Sequence, residues 1–254
     1  MHNIIRIGVV VALVCIVFGS AGIARVAHAA NGQMTWAVHV TIAPRWLDPG
    51  DAETAITPFM VLYALHDALV KPVPKGQTTP SLAESWTASP DWKTYDFVLR
   101  NGVKFHNGDP VTAEDVKFSF ERYRGGAAKL LKDRVKDVQV VDARHVRFVM
   151  KDSWPDFMTF YGTTASGAGW IVPKKYVEKV GDDGFTKAPV GAGPYRFVSL
   201  TPGVELVLEA FDGYWRKAPS VKRVVFKSVP DETTRAAALR FPEITTSSFR
   251  RDPG

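Results

Sequence analysis

Hydrophobic and polar positions along the chain follow two periods, and the switches between them mark out its elements. Alternation with a period of two predicts strands, whose successive side chains point to opposite faces. It runs over 34–40, where Trp36, Val38 and Val40 alternate with Ala37 and His39, and over 91–100, where Tyr95, Phe97 and Leu99 share a face. Further strands are predicted over 135–141, 146–150, 195–200, 204–210 and 221–229. Turn residues set the pairings. Asn101-Gly102 predicts that 103–105 folds back on the strand 91–100, and Thr201-Pro202-Gly203 joins 195–200 to 204–210. Residues 142–145 join 135–141 to 146–150, and Asn107-Gly108-Asp109-Pro110 is one more turn.

Helical spacing takes over elsewhere. Phe59, Leu62, Leu65 and Leu69 predict a helix over 58–69, ended by Pro72, Pro74 and Gly76. Thr112 and Asp115 stand in a capping arrangement ahead of an apolar stripe, Ala113, Val116, Phe120 and Tyr123, which Gly125-Gly126 stops. A helix opens at Pro173 and closes at Gly181, and Asp231 caps another over 232–239. Between the first strand and the first helix lies a polar, proline-containing loop, 43–51. Strands and helices mix without strict alternation, which predicts an α/β or α+β fold with both hairpins and crossovers.

The first residues stand apart. Arg6, an apolar run over 7–18 and small residues ending in Ala27-His28-Ala29 form the pattern of a secretory signal peptide cut after Ala29. The run is short for a membrane span, so an uncleaved anchor is the weaker alternative. The one cysteine, Cys15, lies inside it, and Val14 stands where a lipoprotein signal needs a small residue. An exported chain would then hold no thiol, hence no disulfide and no cysteine metal ligand. The remainder is globular in composition, with 46% hydrophobic and 23% charged residues over the whole sequence. The net charge of +6 for the whole sequence includes Arg6 and Arg25 of the leader, and the other bases are scattered among acids, as Asp133 interrupts Lys129 to Lys136. That is the pattern of a solvated face, and nucleic acid is not an expected partner.

Catalytic signatures are missing: the sequence holds no H-E-x-x-H, G-x-S-x-G or Walker A loop. The nearest approach to a phosphate loop is Gly191-Ala192-Gly193-Pro194-Tyr195-Arg196. There Pro194 removes an amide donor, Arg196 occupies the third glycine's place, and a strand follows instead of a helix. His39, His66, His106 and His145 fall in separate elements without metal-ligand spacing. No catalytic residue, metal or cofactor is therefore expected. Asp48, Asp51 and Glu53 share one loop, where they form either a grip for a cationic ligand group or a solvated acidic turn. Trp46, Trp154, Tyr161 and Trp170 lie near polar or glycine-rich loops, as core plugs or as lining of a cleft.

A longer pattern is specific in combination. It comprises Pro80-Ser81-Leu82-Ala83-Glu84-Ser85-Trp86, then Trp92, 95–100 and the run from Gly102-Val103-Lys104-Phe105-His106-Asn107-Gly108-Asp109-Pro110 to Val116. Gly191-Ala192-Gly193-Pro194-Tyr195, Asp212-Gly213-Tyr214-Trp215 and an early Leu47-Asp48-Pro49 complete it. In these residues the chain resembles the family-5 extracellular solute-binding proteins of bacterial ABC importers, which serve dipeptides, oligopeptides and nickel. The likeness runs over about 34–239.

The resemblance implies a type II periplasmic binding protein fold. Lobe one would use 30–78 and 189–239, with an inserted α+β subdomain over 79–188. The ligand sits between two lobes, and closure is a population shift toward the state in which it touches both. The family pattern is expected to stop near Leu239, leaving 240–254 as a non-family, frameshift-like tail and the second lobe missing. Trp46, Asp48, Tyr161, Ser166, Trp170, Gly191 and Gly193 would face the ligand, with Asp48 meeting a peptide amino group. The implied function is capture of a small solute, a peptide first, by a periplasmic monomer that docks on membrane permease subunits. A non-functional remnant and a secreted hydrolase are the alternatives.

Overall fold

The computed structural model of the chain describes residues 31–51, 57–71, 78–163, 166–239 and 246–247. The expected leader, Glu53, the Pro72-Pro74-Gly76 stop, the side chain of Phe59 and all but two residues of the expected tail lie outside the described residues. In chain order the elements are β1 (Asn31–Val38), two 3₁₀ turns (Pro44–Leu47 and Pro49–Asp51), α1 (Thr57–Leu65), β2 (Val70–Lys71), β3 (Thr79–Pro80), β4 (Ala83–Ala88) and β5 (Thr94–Leu99). There follow α2 (Ala113–Arg122), α3 (Ala128–Arg134), β6 (Val135–Val140), β7 (His145–Met150), α4 (Phe157–Tyr161) and α5 (Lys174–Lys187). Last come β8 (Tyr195–Thr201), β9 (Glu205–Ala210), β10 (Val221–Ser228), α6 (Glu232–Ala238) and β11 (Thr246–Ser247).

The strands build a mixed sheet in the order β11-β1-β10-β9-β8. β1 runs parallel to β10 and to β11, and β8, β9 and β10 form an antiparallel meander. Alternation decides which face is covered. Met34, Trp36 and Val38 of β1, Leu206 and Leu208 of β9, and Val224 and Phe226 of β10 pack together against Met60, Val61, Ala64 and Leu65 of α1. The other side of α1 presents Leu62 and Tyr63 to Ala68 and Trp170. A helix that is apolar all round is buried on both sides. Each large apolar side chain so covered contributes about 1.5–3 kcal/mol.

α1 ends at Leu65, four residues before the apolar period does. The backbone after it is claimed by remote segments: the Leu69 amide donates to the Gly169 carbonyl (3.0 Å), and the Leu69 carbonyl accepts from the amides of Ser81 (3.0 Å) and Ala83 (3.1 Å). Leu69 is nevertheless fully buried, which is why its spacing read as helical.

A second sheet, β4-β5-β7-β6, is antiparallel throughout, and all its strands fall between residues 83 and 150. Tyr95, Phe97 and Leu99 alternate inward from β5 as expected. The rings of Tyr95 and Phe97 join those of Phe148, Phe157 and Tyr161 at centroid separations of 4.7–6.1 Å, each such pair adding about 0.5–1.5 kcal/mol beyond burial. The expected return strand 103–105 does not pair with β5. Both edges of β5 are already taken, by β4 and β7. Val103 instead accepts from Val111 (3.0 Å) across the Asn107-Gly108 turn, where Lys104 bridges Pro110. The hairpins β6–β7 and β8–β9 form where the turn residues place them.

Asp115 docks the helices on one another. One carboxylate oxygen accepts from the Thr112 amide (2.8 Å) and hydroxyl (2.7 Å), and the other accepts from the Lys174 amide at the start of α5 (2.9 Å). α5 is broken at Gly181, whose φ of 71° is left-handed, so the expected stop is present, and a second helical segment runs on to Lys187.

Trp92 is the one non-glycine residue with positive φ (56°) among those described, at the β4–β5 turn. A bulky residue in that region carries strain of about 1 kcal/mol or more, and Trp92 is 41% exposed. Trp92→Gly is therefore expected to raise the thermal midpoint by about 2–4 °C, the shift that 1 kcal/mol produces in a chain of this size. A lowered midpoint would mean that the ring's contact with Tyr95, at 6.3 Å, outweighs the strain.

Candidate functional site

In open α/β sheets the crevice beyond the carboxyl ends of parallel strands is the natural place for a ligand. Here those ends are Val38 of β1 and Ser228 of β10, closed together by the Val229 amide donating to the Val38 carbonyl (2.9 Å). The chain leaving β1 at that point is the loop 39–51, which carries Trp46 and Asp48.

The loop is held mostly by groups outside it. His66 bonds through Nε2 to the Leu47 carbonyl (2.9 Å). Arg122, the last residue of α2, donates from both terminal nitrogens to Asp48 (2.7 and 2.6 Å) and from one of them to Asp182 (2.7 Å). Arg124 reaches Asp51 (2.9 Å) and Asp182 (2.7 Å), and its amide donates to the Gly50 carbonyl (2.8 Å). Asp48 is fully buried and turns one oxygen to the Gly50 amide (2.8 Å). Burial alone would lower the Arg122 pKa, but Asp48 and Asp182 outweigh it and raise it. Hydrogen bonds from Arg122 and Arg124 hold the Asp182 carboxyl below its usual range. The acidic turn is thus neither solvated nor open at Asp48: the cation it grips is the protein's own.

Of the other expected ligand residues, Trp46 is partly exposed and packs on the edge of the β1–β9–β10 core. Tyr161 is fully buried, stacked on Phe157 at 5.0 Å, and burial pushes its hydroxyl pKa up. Ser166 is buried and donates to the Phe160 carbonyl (2.9 Å). Trp170 is 1% exposed and meets Tyr63 edge-on at 5.4 Å. Trp154, read as a plug or a lining residue, is a plug, 5% exposed.

Gly191 and Gly193 lie flat against the end of α1. The Gly193 amide donates to the Leu65 carbonyl (3.0 Å), the Gly191 amide to His106 Nδ1 (3.2 Å), and the Gly193 carbonyl accepts from His106 Nε2 (3.0 Å). The close approach that glycine permits is made to the protein's own backbone. A Cβ at Gly191 would stand 2.0 Å from the Leu65 oxygen and 2.6 Å from His66 Nδ1. Gly191→Ala is expected to cost about 2–3 kcal/mol, as overpacking against a backbone that cannot yield does. A denaturation midpoint within error of the parent would show that the junction opens freely.

Sequence reasoning missed the groups that organise this region. Asp67, fully buried, accepts from Ser81 (2.9 Å), Tyr214 (3.1 Å) and Trp215 (2.9 Å) and pairs with the buried Lys71, whose ammonium lies over the rings of Tyr63 (5.2 Å) and Trp170 (5.3 Å). The Asp212-Gly213-Tyr214-Trp215 turn entered the sequence pattern only as part of the family resemblance, and the carboxylate its two aromatics bond is remote in sequence. Among the described residues no group of three or more His, Cys, Asp or Glu could hold a metal ion. Nor is any described helix long and apolar enough to cross a membrane.

The chain is similar to known proteins in sequence and in fold. The model of the bacterial extracellular solute-binding proteins, family 5 Middle, matches residues 77–252, a stretch that includes the two-residue strand β11. The probable D,D-dipeptide-binding periplasmic protein DdpA of Escherichia coli is 34% identical over 230 residues, covering 84% of this chain and 43% of that one. The nickel-binding periplasmic protein of the same organism is 30% identical over 184 residues, 71% of this chain and 35% of that one. Among solved structures, MoaA from A.tumefacien R10, in complex with mannopinic acid, superposes with a TM-score of 0.76 at 28% identity, covering 88% of this chain and 46% of that one. NikZ from Campylobacter jejuni, in complex with Ni(L-His), gives 0.72 at 26% identity, covering 84% and 42%. The chain spans less than half the length of these relatives. With a family match over more than half of its residues and the mixed α/β architecture of periplasmic binding proteins, the chain belongs to the family-5 bacterial extracellular solute-binding proteins.

Proposed function

We propose that the chain is the periplasmic ligand-capturing component of an ABC importer, taking a small solute, a peptide first, and handing it to permease subunits in the inner membrane. The observation that carries this reading is the loop 39–51: it leaves β1 at the carboxyl end of the parallel pair, is clamped at Leu47, Asp48, Gly50 and Asp51, and leaves Trp46 partly exposed. A rigid aromatic on a fixed loop is what an apolar binding wall with few polar anchors requires. In this proposal Trp46 meets the ligand. Tyr161, Ser166, Trp170, Gly191 and Gly193 back the wall from within the fold, and Asp48 shapes it. Relatives bearing the names dipeptide-binding protein and di/tripeptide-binding protein 2 favour the peptide class. A secreted hydrolase has no feature in its favour.

Calorimetric titration of the purified chain with a panel of di- and tripeptides tests the proposal. Saturable heat with one or more peptides, reduced at least tenfold in affinity by Trp46→Ala, is the expected result. Heat from nickel–histidine and none from any peptide would replace the peptide class. Equal affinity in the Trp46→Ala chain would remove the loop from the site.

A further inference from the structure

We propose that Arg122 is the positioning residue of the ligand loop, setting the conformation of residues 43–51, and with it the place of Trp46, through the planar fork of its guanidinium. This rests on the assignment of that loop to the ligand wall made above. Bonds within the loop are local: the amides of Trp46, Asp48 and Asp51 donate to the carbonyls of Ala43 (3.0 Å), Arg45 (3.3 Å) and Asp48 (3.2 Å), and the Gly50 amide donates to the Asp48 carboxylate (2.8 Å). The loop's direction is imposed from the end of α2. The two terminal nitrogens of Arg122 match the two oxygens of Asp48, and one of them also reaches Asp182 beside the Gly181 break in α5. The guanidinium lies over the Phe185 ring at 5.6 Å. Its side chain is 9% exposed and that of Asp48 is 0% exposed, so the pair has few other partners to turn to.

Packing fixes the geometry further. Gly50 sits so close to the fork that a Cβ there would stand 2.5 Å from the Arg122 nitrogen. Arg124, two residues on, repeats the arrangement one step out with Asp51 and Asp182. Three acids and two arginines thus alternate from the loop to α5, linking the segment after β1 to α2, which packs on the second sheet, and to α5, which packs on α2. A lysine carries the same charge but cannot bond two oxygens of one carboxylate and a second carboxylate in one plane. The charge alone therefore does not hold the loop.

The test uses the whole chain labelled with 5-fluorotryptophan, the Trp46 line being identified by its absence from the Trp46→Phe spectrum. The expected result is that Arg122→Met and Arg122→Lys both move or broaden the Trp46 line beyond its width, while the lines of Trp170 and Trp215 hold and far-ultraviolet circular dichroism is unchanged. Asp133→Asn, which removes the exposed pair of Asp133 with Lys129, leaves the Trp46 line in place. If Arg122→Met fails to fold, Asp48→Asn, which keeps an acceptor for the Gly50 amide and removes the charge, is expected to move the same line. A Trp46 line that stays put in folded Arg122→Met or Asp48→Asn, or is restored in Arg122→Lys, overturns the proposal. Titration of the parent chain with trialanine reads the ligand assignment separately. If the substitutions move the Trp46 line and no peptide does, the loop is positioned by Arg122 but is not the peptide wall.

Discussion

Asp67→Ala is expected to destabilise the protein by about 3–5 kcal/mol, the cost of leaving one member of a buried ion pair without its partner. The carboxylate is fully buried and serves four donors: the hydroxyls of Ser81 and Tyr214, the indole of Trp215 and the ammonium of Lys71. Once it is gone, the Lys71 ammonium, 7% exposed, keeps two ring faces, which supply only about 1–2 kcal/mol in such a setting. The bonds from Ser81, Tyr214 and Trp215 are made to the same charged carboxylate and are lost with it, adding to the cost of the unpaired ammonium. The same reasoning predicts non-additivity. Lys71→Met removes the ammonium and retains a chain to fill the space under Tyr63 and Trp170, so Asp67→Ala in that background is expected to cost clearly less than it does alone. Urea denaturation of the parent, the two single variants and the double variant measures this directly. A single-variant loss under 1 kcal/mol, or additive losses, would show that the pair is solvated and that the clasp on Tyr214 and Trp215 is incidental.

Asp67 also marks where sequence reading reached its limit. Elements were legible wherever local pattern and tertiary packing agree. Tyr95, Phe97 and Leu99 alternate and are buried, the hairpins β6–β7 and β8–β9 follow their turn residues, and Asp231 accepts from the Thr234 amide at 2.6 Å to cap α6. Misreadings arose where distant backbone competes for the same groups. Leu69 keeps the apolar spacing of α1 but gives its amide to Gly169, and 103–105 follows a good turn signal toward a strand with no free edge. The site was less legible still, because charge partners are specified in space. Asp48 and Arg122 are 74 positions apart, and nothing in either neighbourhood distinguishes a ligand-facing carboxylate from one already engaged. The glycines at 191 and 193, expected to face a ligand, lie against the protein's own backbone. What approaches them, the end of α1, required the fold.

Acidification is expected to destabilise the protein steeply between about pH 6.5 and pH 4, through two histidines that the fold keeps neutral. His66 is fully buried, and burial lowers its pKa from 6.5 to about 4. The Leu47 carbonyl and Asp48 oppose the shift, and Arg122 and Lys71 add to it. His106 is likewise lowered to about 4, first by burial, then by His66 and Arg196, against the pull of the Gly193 carbonyl. It accepts from the Gly191 amide at Nδ1, so the proton sits on Nε2 and is donated to the Gly193 carbonyl. A second proton on either ring would have to be accommodated beside the other histidine and nearby cations, and on His106 it would break the Gly191 bond. The unfolded chain takes up these protons near pH 6.5 and the folded chain only near pH 4. Stability is thus complete above the unfolded value, falls as pH drops through this window, and levels off below the folded value. The slope is about 1.4 kcal/mol per pH unit for each histidine, with a ceiling of roughly 3 kcal/mol apiece that coupling between the two reduces. Asp182, held below its usual range by Arg122 and Arg124, adds its loss only below that window. Asp115, raised by burial, works in the opposite sense. Urea midpoints measured from pH 7.5 to pH 4 report the slope. His106→Gln, which can accept from Gly191 and donate to Gly193 without titrating, is expected to remove about half of it. A slope unchanged in that variant would place the acid sensitivity elsewhere. A halved slope would tie it to the junction at which His106 holds Gly191 and Gly193 against the end of α1, beside His66.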